Sequence, residues 1–294
     1  MNGISLKAYA KINLSLDVLG TLANGYHEVK MIMQSIGLFD KVNIKKNKSG
    51  SIKVKTNLSY LPVGPDNLVY KAARLMCDEF GIKDGIFIDL YKYIPVSAGM
   101  AGGSTDAAAV LKGMNIMYEL GQSDDELMRL GLRLGADVPY CIMGGTALAE
   151  GIGEKLTPLD DCPEFYLVIG KPAVSVSTKY VYDNLVLDDT TIHPDTEGII
   201  DALMKKDVTL ISEKLCNVLE SVTVNRHPEI GRIKETMLEH GAEGSLMSGS
   251  GPTVYGIFID KDKAKECCDY LRESRLVKNS YVTVPVSADV CRGR

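Results

Sequence analysis

The chain has 294 residues, of which 45% are hydrophobic and 24% charged. These fractions are ordinary for a globular protein and exclude disordered, collagenous and low-complexity classes. With 33 basic against 38 acidic side chains the formal charge is −5, so no global basic field draws the chain to nucleic acid, and the length fits two domains.

Residues 6–18 alternate with period two. Leu6, Ala8, Ala10, Ile12, Leu14, Leu16 and Val18 point one way, and Lys7, Tyr9, Lys11, Asn13, Ser15 and Asp17 the other. This spells a strand with one buried and one polar face. Lys7 and Lys11 break the apolar run, so no signal peptide is expected. No stretch reaches the roughly 18 apolar residues of a membrane span. Asn24-Gly25 signals a turn, and residues 28–39 read as a second apolar strand. KVNIKK, NKSG and SIKVKT then read as a hairpin, with lysines on its solvated face.

Residues 66–80 read as a helix capped by Asp66 or Asn67 and stopped by Gly81. Strand IFIDLY (86–91) leads into the loop PVSAGMAGGST, and DAAAVLKGMNIMYEL follows as a helix. Ser123 and Glu126 form a capping box for a helix over 124–134. GADVPYCIMGG breaks that helix and places Asp137 in a loop before strand 145–149. A boundary is expected within 155–165. Beyond it come strand FYLVIG, helical patterns near 178–184, 195–204, 207–217 and 228–240, strand GSLMS, the loop GSGPT with its strand, helix 261–274 and strand 280–286. Helices and strands mix without regular alternation, which predicts an α+β chain in two domains.

Twenty-eight glycines exceed the roughly 20 that average usage predicts. Gly99, Gly102 and Gly103 stand between a strand and a helix start, where glycine permits close approach and free amides attract phosphate. The loop matches neither the G-x-x-x-x-G-K-[ST] nor the G-x-G-x-x-G pattern. Lys11, on a strand flanked by apolar positions, needs an anionic partner, and Asp137 is a candidate. The seven cysteines are odd in number and irregularly spaced, without C-x-x-C, which predicts reduced thiols in a cytoplasmic protein. His193, His227 and His240 show no metal-ligand spacing.

AKINLSLDVLG with NGYHEV, PVSAGMAGGSTDAAAVL, LGADVPYCIMGG with GIGEKLTPL, and GSGPT follow one another from residue 8 to 253. The ordered set resembles the GHMP small-molecule kinases, in particular those that act on 4-diphosphocytidyl-2-C-methyl-D-erythritol. The resemblance implies a two-domain GHMP-kinase fold: a ribosomal protein S5 domain 2-like half that binds ATP (1–158) and a ferredoxin-like half that binds substrate (159–294). It implies ATP-dependent phosphorylation of the substrate's 2-hydroxyl, giving the 2-phosphate and ADP in the non-mevalonate isoprenoid route. Asp137 would be the catalytic base and Lys11 its charged partner. Pro95, Val96, Ser97, Ala98, Gly99, Met100, Ala101, Gly102, Gly103, Ser104 and Thr105 would wrap the ATP phosphates, with Ser104 or Thr105 on Mg2+. Asn67 would line the adenine pocket. Tyr26, His27, Thr178 and Tyr182 would form the cytosine pocket, and Asn13 would contact substrate near the reacting hydroxyl. Gly249, Ser250 and Gly251 would close over the diphosphate.

Met100, Ala101 and Thr105 stand where the family usually has Leu, Gly and Ser. Ala101 is therefore expected to keep a negative φ or to turn away from the phosphates. Rival readings are a GHMP kinase acting on mevalonate or homoserine, against which Tyr26 and His27 argue, and a non-catalytic binding module, against which Lys11 and Asp137 argue. The expected partner is a small molecule carrying a cytidine diphosphate group, with no nucleic acid or membrane, in a monomer or weak homodimer.

Overall fold

A computed structural model describes residues 1–23 and 25–293; Asn24 of the expected turn lies outside the described residues. The alternating segment forms β1 (Gly3–Thr21), antiparallel to β2 (His27–Asn47), a strand of 21 residues. The even positions of β1 do not all serve one core. Ala8 joins the apolar cluster that also holds Ala72 and Ala108, whereas Ala10, Ile12 and Leu14 pack with Leu167, Leu246 and Tyr255 of the second half. The expected polar face is buried as well: Lys11, Asn13, Ser15 and Asp17 are at most 6% exposed. Each burial is matched by a partner, as buried polar groups require. Ser15 Oγ accepts from Ile32 N, and Asp17 Oδ1 meets His193 Nδ1 at 2.7 Å.

The expected lysine-rich hairpin does not form. β3 (Ile52–Thr56) precedes α1 (Leu68–Phe80) and β4 (Gly85–Tyr91), and β4 inserts between β2 and β3. Ile86, Ile88 and Leu90 bury almost completely and demand an inner position, whereas Lys53 and Lys55 suit the exposed edge. Asn67 supplies the helix cap, its Oδ1 accepting from Val69 N at 3.0 Å.

α2 (Gly102–Met117) begins four residues before the expected DAAA start, so Gly102 and Gly103 lie in its first turn. Its alanines and Gly113 let it lie close on the sheet: a Cβ on Gly113 would sit 2.6 Å from Ile44 Cδ1. After α3 (Asp124–Leu132), the segment read as a loop is helix α4 (Asp137–Met143), and Asp137 is its first residue. Pro139 is no obstacle, because a first-turn residue needs no intrahelical N–H bond. β5 (Thr146–Gly151) pairs with the start of β2, and β6 (Lys155–Pro158) pairs with β5.

β7 (Tyr166–Lys171), α5 (Thr178–Asp183), α6 (Thr196–Met204) and α7 (Val208–Glu213) follow. The helix expected over 207–217 stops at Glu213, and β8 (Cys216–Asn217) runs parallel to β1 at Ser15–Leu16. Then come α8 (Glu220–Arg226), α9 (Pro228–Glu239), β9 (Gly244–Met247), β10 (Val254–Phe258), α10 (Lys261–Glu273), β11 (Asn279–Thr283) and α11 (Ala288–Arg292). The second sheet has the order β11-β7-β10-β9, antiparallel throughout, with α9 and α10 packed on it. This is the ferredoxin-like arrangement. The chain after β11 returns to the first half: Val286 N donates to Ser35 O and Gly37 N to Val284 O. Among the described residues no helix is long and apolar enough to cross a membrane.

Candidate active site

A cleft of about 1030 Å3 gathers Lys11, the 95–104 loop, Asp137, α5 and the 249–250 turn. Lys11 comes from the centre of β1, Asp137 from the start of α4, and Tyr182 from α5. Lys11 is not ion-paired to Asp137 among the described residues; Nζ donates instead to Asn13 Oδ1 at 2.7 Å. Burial pushes the Lys11 pKa down, and the charge of Asp137 opposes that shift. Burial and the same carboxylate push Tyr182 up to about 12. Asp137 is thus within electrostatic reach of both a cation and the aromatic wall.

The nucleotide side is built on the start of α2. Ala101 caps the helix without a side-chain bond; the amides of Gly102, Gly103 and Ser104 have no intrahelical acceptor, and all three residues border the cleft. A helix end of this kind attracts phosphate. The expectation of a negative φ at Ala101 fails: φ is +54°, with Ser97 at +52° and Gly99 at +72°. Two non-glycine residues in the left-handed region cost about 1–2 kcal/mol each, which marks a loop held in shape by its surroundings. Ser104 is half-buried on the cleft wall. Thr105 is not a cleft residue: it is 3% exposed and turns toward Cys141 in a small separate pocket. Met100 is also buried in the core and off the cleft wall, its carbonyl accepting from Lys11 N at 3.3 Å. Asn67 borders the cleft with its side chain committed to Val69 N and Pro62 O.

Beneath the start of α2 lies a charge cluster that sequence reasoning missed. Lys92 bridges Asp40 and Asp106 and donates to Gly102 O at 3.3 Å; Asp40 also accepts from the amides of Tyr93 and Ile94. Burial works against the charge of Lys92, but the two carboxylates more than offset it and raise its pKa. Asp106 is held well above the usual carboxylate range by burial, aided by the neighbouring Asp40. Its Oδ1 has no hydrogen-bond partner among the described residues.

The second glycine-rich loop is gripped from several sides. A Cβ on Gly99 would lie 2.2 Å from Ser248 O, and one on Gly249 would lie 3.6 Å from Lys11 Nζ. Ser248 Oγ donates to Gly99 O at 3.0 Å, so the two loops touch. Asn217, which sequence reasoning also missed, donates from Nδ2 to Met247 O and Gly249 O, each at 2.8 Å. Ser250 Oγ meets Thr178 Oγ1 at 2.9 Å. Gly251, at φ +84°, packs near Met247 behind the cleft wall. On the far side the His27 and Tyr182 rings stack with centroids 4.9 Å apart, and Tyr26 borders the cleft beside them. Asn13 is 0% exposed and lies behind Lys11, off the cleft wall.

Residues 67–145 match the GHMP kinases N-terminal domain and 199–275 the GHMP kinases C-terminal region. The 4-diphosphocytidyl-2-C-methyl-D-erythritol kinase of Lachnoclostridium phytofermentans is 57% identical over 270 residues, 92% of each chain. That of Lachnospira eligens is 53% identical, covering 96% of this chain and 98% of its own. The chain belongs to the 4-diphosphocytidyl-2-C-methyl-D-erythritol kinase family of GHMP kinases. A crystal structure of 4-(cytidine 5'-diphospho)-2C-methyl-D-erythritol kinase superposes with a TM-score of 0.82 at 32% identity, covering 96% of this chain and 99% of its own. A homoserine kinase from Cytophaga hutchinsonii shares the GHMP-kinase fold, with a TM-score of 0.77 at 19% identity, covering 98% and 95%.

Proposed function

We propose that this chain transfers the γ-phosphoryl group of ATP to the 2-hydroxyl of 4-diphosphocytidyl-2-C-methyl-D-erythritol, releasing ADP and the 2-phosphate. The observation that carries this reading is one cleft with a free helix end on one side, a stacked His27–Tyr182 pair on the other, and Asp137 with Lys11 between. Phosphoryl transfer depends on positioning and charge neutralisation, and these groups are arranged for both. The amides at 102–104 hold the phosphate chain, and the strained 95–101 loop keeps them aimed. Asp137 orients the acceptor hydroxyl and takes its proton. Lys11, cationic between Asp137 and the phosphate loop, stabilises the charge that develops on the transferring oxygens. Cytosine stacks against the aromatic wall of His27, Tyr182 and Tyr26. Ser250 and Thr178 link that wall to the second loop, which closes on the diphosphate.

Mg2+ would neutralise the phosphate oxygens. Ser104, on the cleft wall, would offer it a hydroxyl. The two halves divide the work as 1–158 for ATP and 159–294 for closing the substrate pocket, in a cytoplasmic monomer or weak homodimer whose cysteines stay reduced.

An acceptor panel tests the reading. With ATP and Mg2+, ADP release is expected with the cytidyl substrate and not with mevalonate or homoserine. Release with either of those, and none with the cytidyl substrate, overturns it.

A further inference from the structure

Asn13 and Lys11 stand two residues apart on one face of β1, and of the two only Lys11 borders the cleft. Asn13 is fixed from three directions. Its Oδ1 accepts from Lys11 Nζ at 2.7 Å, its Nδ2 donates to Met31 Sδ at 3.2 Å, and its backbone carbonyl accepts from the fully buried Tyr255 hydroxyl at 2.8 Å. An ammonium only donates, so the amide oxygen must be the atom that faces it, and the thioether takes the weak acceptor role. Turning the amide over would break both contacts.

We propose that Asn13 is a positioning residue for the reaction: its amide oxygen holds the Lys11 ammonium in place and charged, and it does not touch substrate. This rests on the reading of Lys11 as the cation of the transfer step. The need for such a residue follows from the surroundings of Lys11. It is 5% exposed, and burial favours its neutral form. The titratable groups that oppose burial, Asp137 and Cys141, both come from α4. The loops 95–101 and 248–251 bring no titratable side chain, nor do Ser35 and Met33 opposite on β2. Asp137 becomes neutral when it takes the hydroxyl proton, so its help is lost during the reaction. The Asn13 oxygen is an acceptor that proton transfer does not change.

The test compares Asn13→Leu and Asn13→Asp with the unaltered enzyme. Three readouts are taken: the Lys11 Nζ titration by NMR of 15N-labelled lysine, assigned with Lys11→Arg; pH profiles of kcat; and KM for the cytidyl substrate. Thermal unfolding and ATP-analogue affinity report that each variant is folded. Asn13→Leu removes an acceptor from the charged form, so the Lys11 titration and the alkaline limb of kcat move to lower pH. At pH 7.5 kcat falls about 10- to 100-fold, with substrate KM within about twofold. Asn13→Asp adds negative charge, and both features move to higher pH. A tenfold rise in substrate KM with an unmoved Lys11 titration makes Asn13 a substrate contact and overturns the proposal. An unmoved titration in both variants overturns it as well. Failure of the underlying reading looks different: Lys11→Met would keep full turnover, whatever the titrations show.

Discussion

The two glycine-rich loops at the cleft look alike in sequence and differ in how they are held. The 95–104 loop ends in an uncapped helix start whose amides are left for a ligand. The 248–251 loop is gripped by protein: Asn217 takes the carbonyl of Gly249 and that of Met247 just before it, Ser248 holds Gly99, and Ser250 meets Thr178. Glycine serves a different need in each. At 102 and 103 it lets the helix start pack closely on Ile94, Lys92 and Leu68, whereas at 99 and 249 it lets two backbones touch. One loop thus leaves its helix-start amides open, as the proposed cradle requires, and the other is a bracket that ties it to α5 through Ser250 and Thr178.

Substitutions can break or sharpen that contrast. The largest effect is expected from Gly99→Ala, which places a methyl group 2.2 Å from Ser248 O at φ +72°. The loops must separate, at a cost of about 3 kcal/mol from strain and overpacking together. Calorimetry should show a Tm several degrees lower, and kcat/KM should fall at least about 100-fold for both substrates. An unchanged enzyme would mean the loop contact is incidental.

Asn217→Leu comes next. It leaves Met247 O and Gly249 O without their donor and Leu219 N without its acceptor. Unsatisfied buried groups cost about 1–3 kcal/mol each at most. If the second loop serves the substrate, steady-state kinetics should show KM for the cytidyl substrate rising about tenfold, with KM for ATP changing less. Equal rises in both would erase the distinction between cradle and bracket.

Gly102→Ala is milder and more selective. Its Cβ would lie 3.1 Å from Ile94 Cγ2 and 3.3 Å from Lys92 Nζ, so the cradle floor must give slightly. Alanine is about 1 kcal/mol better than glycine within a helix, so Tm should barely move while ATP affinity by calorimetry weakens a few-fold. Thr178→Val should matter least. It removes one exposed-side hydroxyl bond to Ser250, worth about 0.5–1.5 kcal/mol, and should raise substrate KM less than about tenfold.

Local patterns made much of this site readable, and long-range partners did not. The alternation at 6–18 located Lys11, and glycines before an alanine-rich segment located the α2 cradle. The pattern could not say that the polar face of β1 is covered, because the cover comes from α4 and the second half of the chain. β4 displaced the expected hairpin for a similar reason: the choice lay between a lysine-rich strand and a more apolar one, and burial decided it. Asp137 read as a loop residue because Pro139 looked like a breaker, although a proline at the third helical position is harmless. The Asp40–Lys92–Asp106 cluster joins residues 52 and 14 positions apart in the chain, with no local signal. Asn217 was hidden inside a helical pattern that ends early to pair with β1.

In the proposed function Asp137 performs the proton transfer, and the rest of the cleft positions the ligands. The most direct measurement is single-turnover ADP formation by Asp137→Asn, with ATP, Mg2+ and the cytidyl substrate, alongside the affinity for an ATP analogue. A fall of at least about 100-fold in the chemical step, with analogue affinity within twofold, is the result expected. Turnover within tenfold of the unaltered enzyme would contradict it.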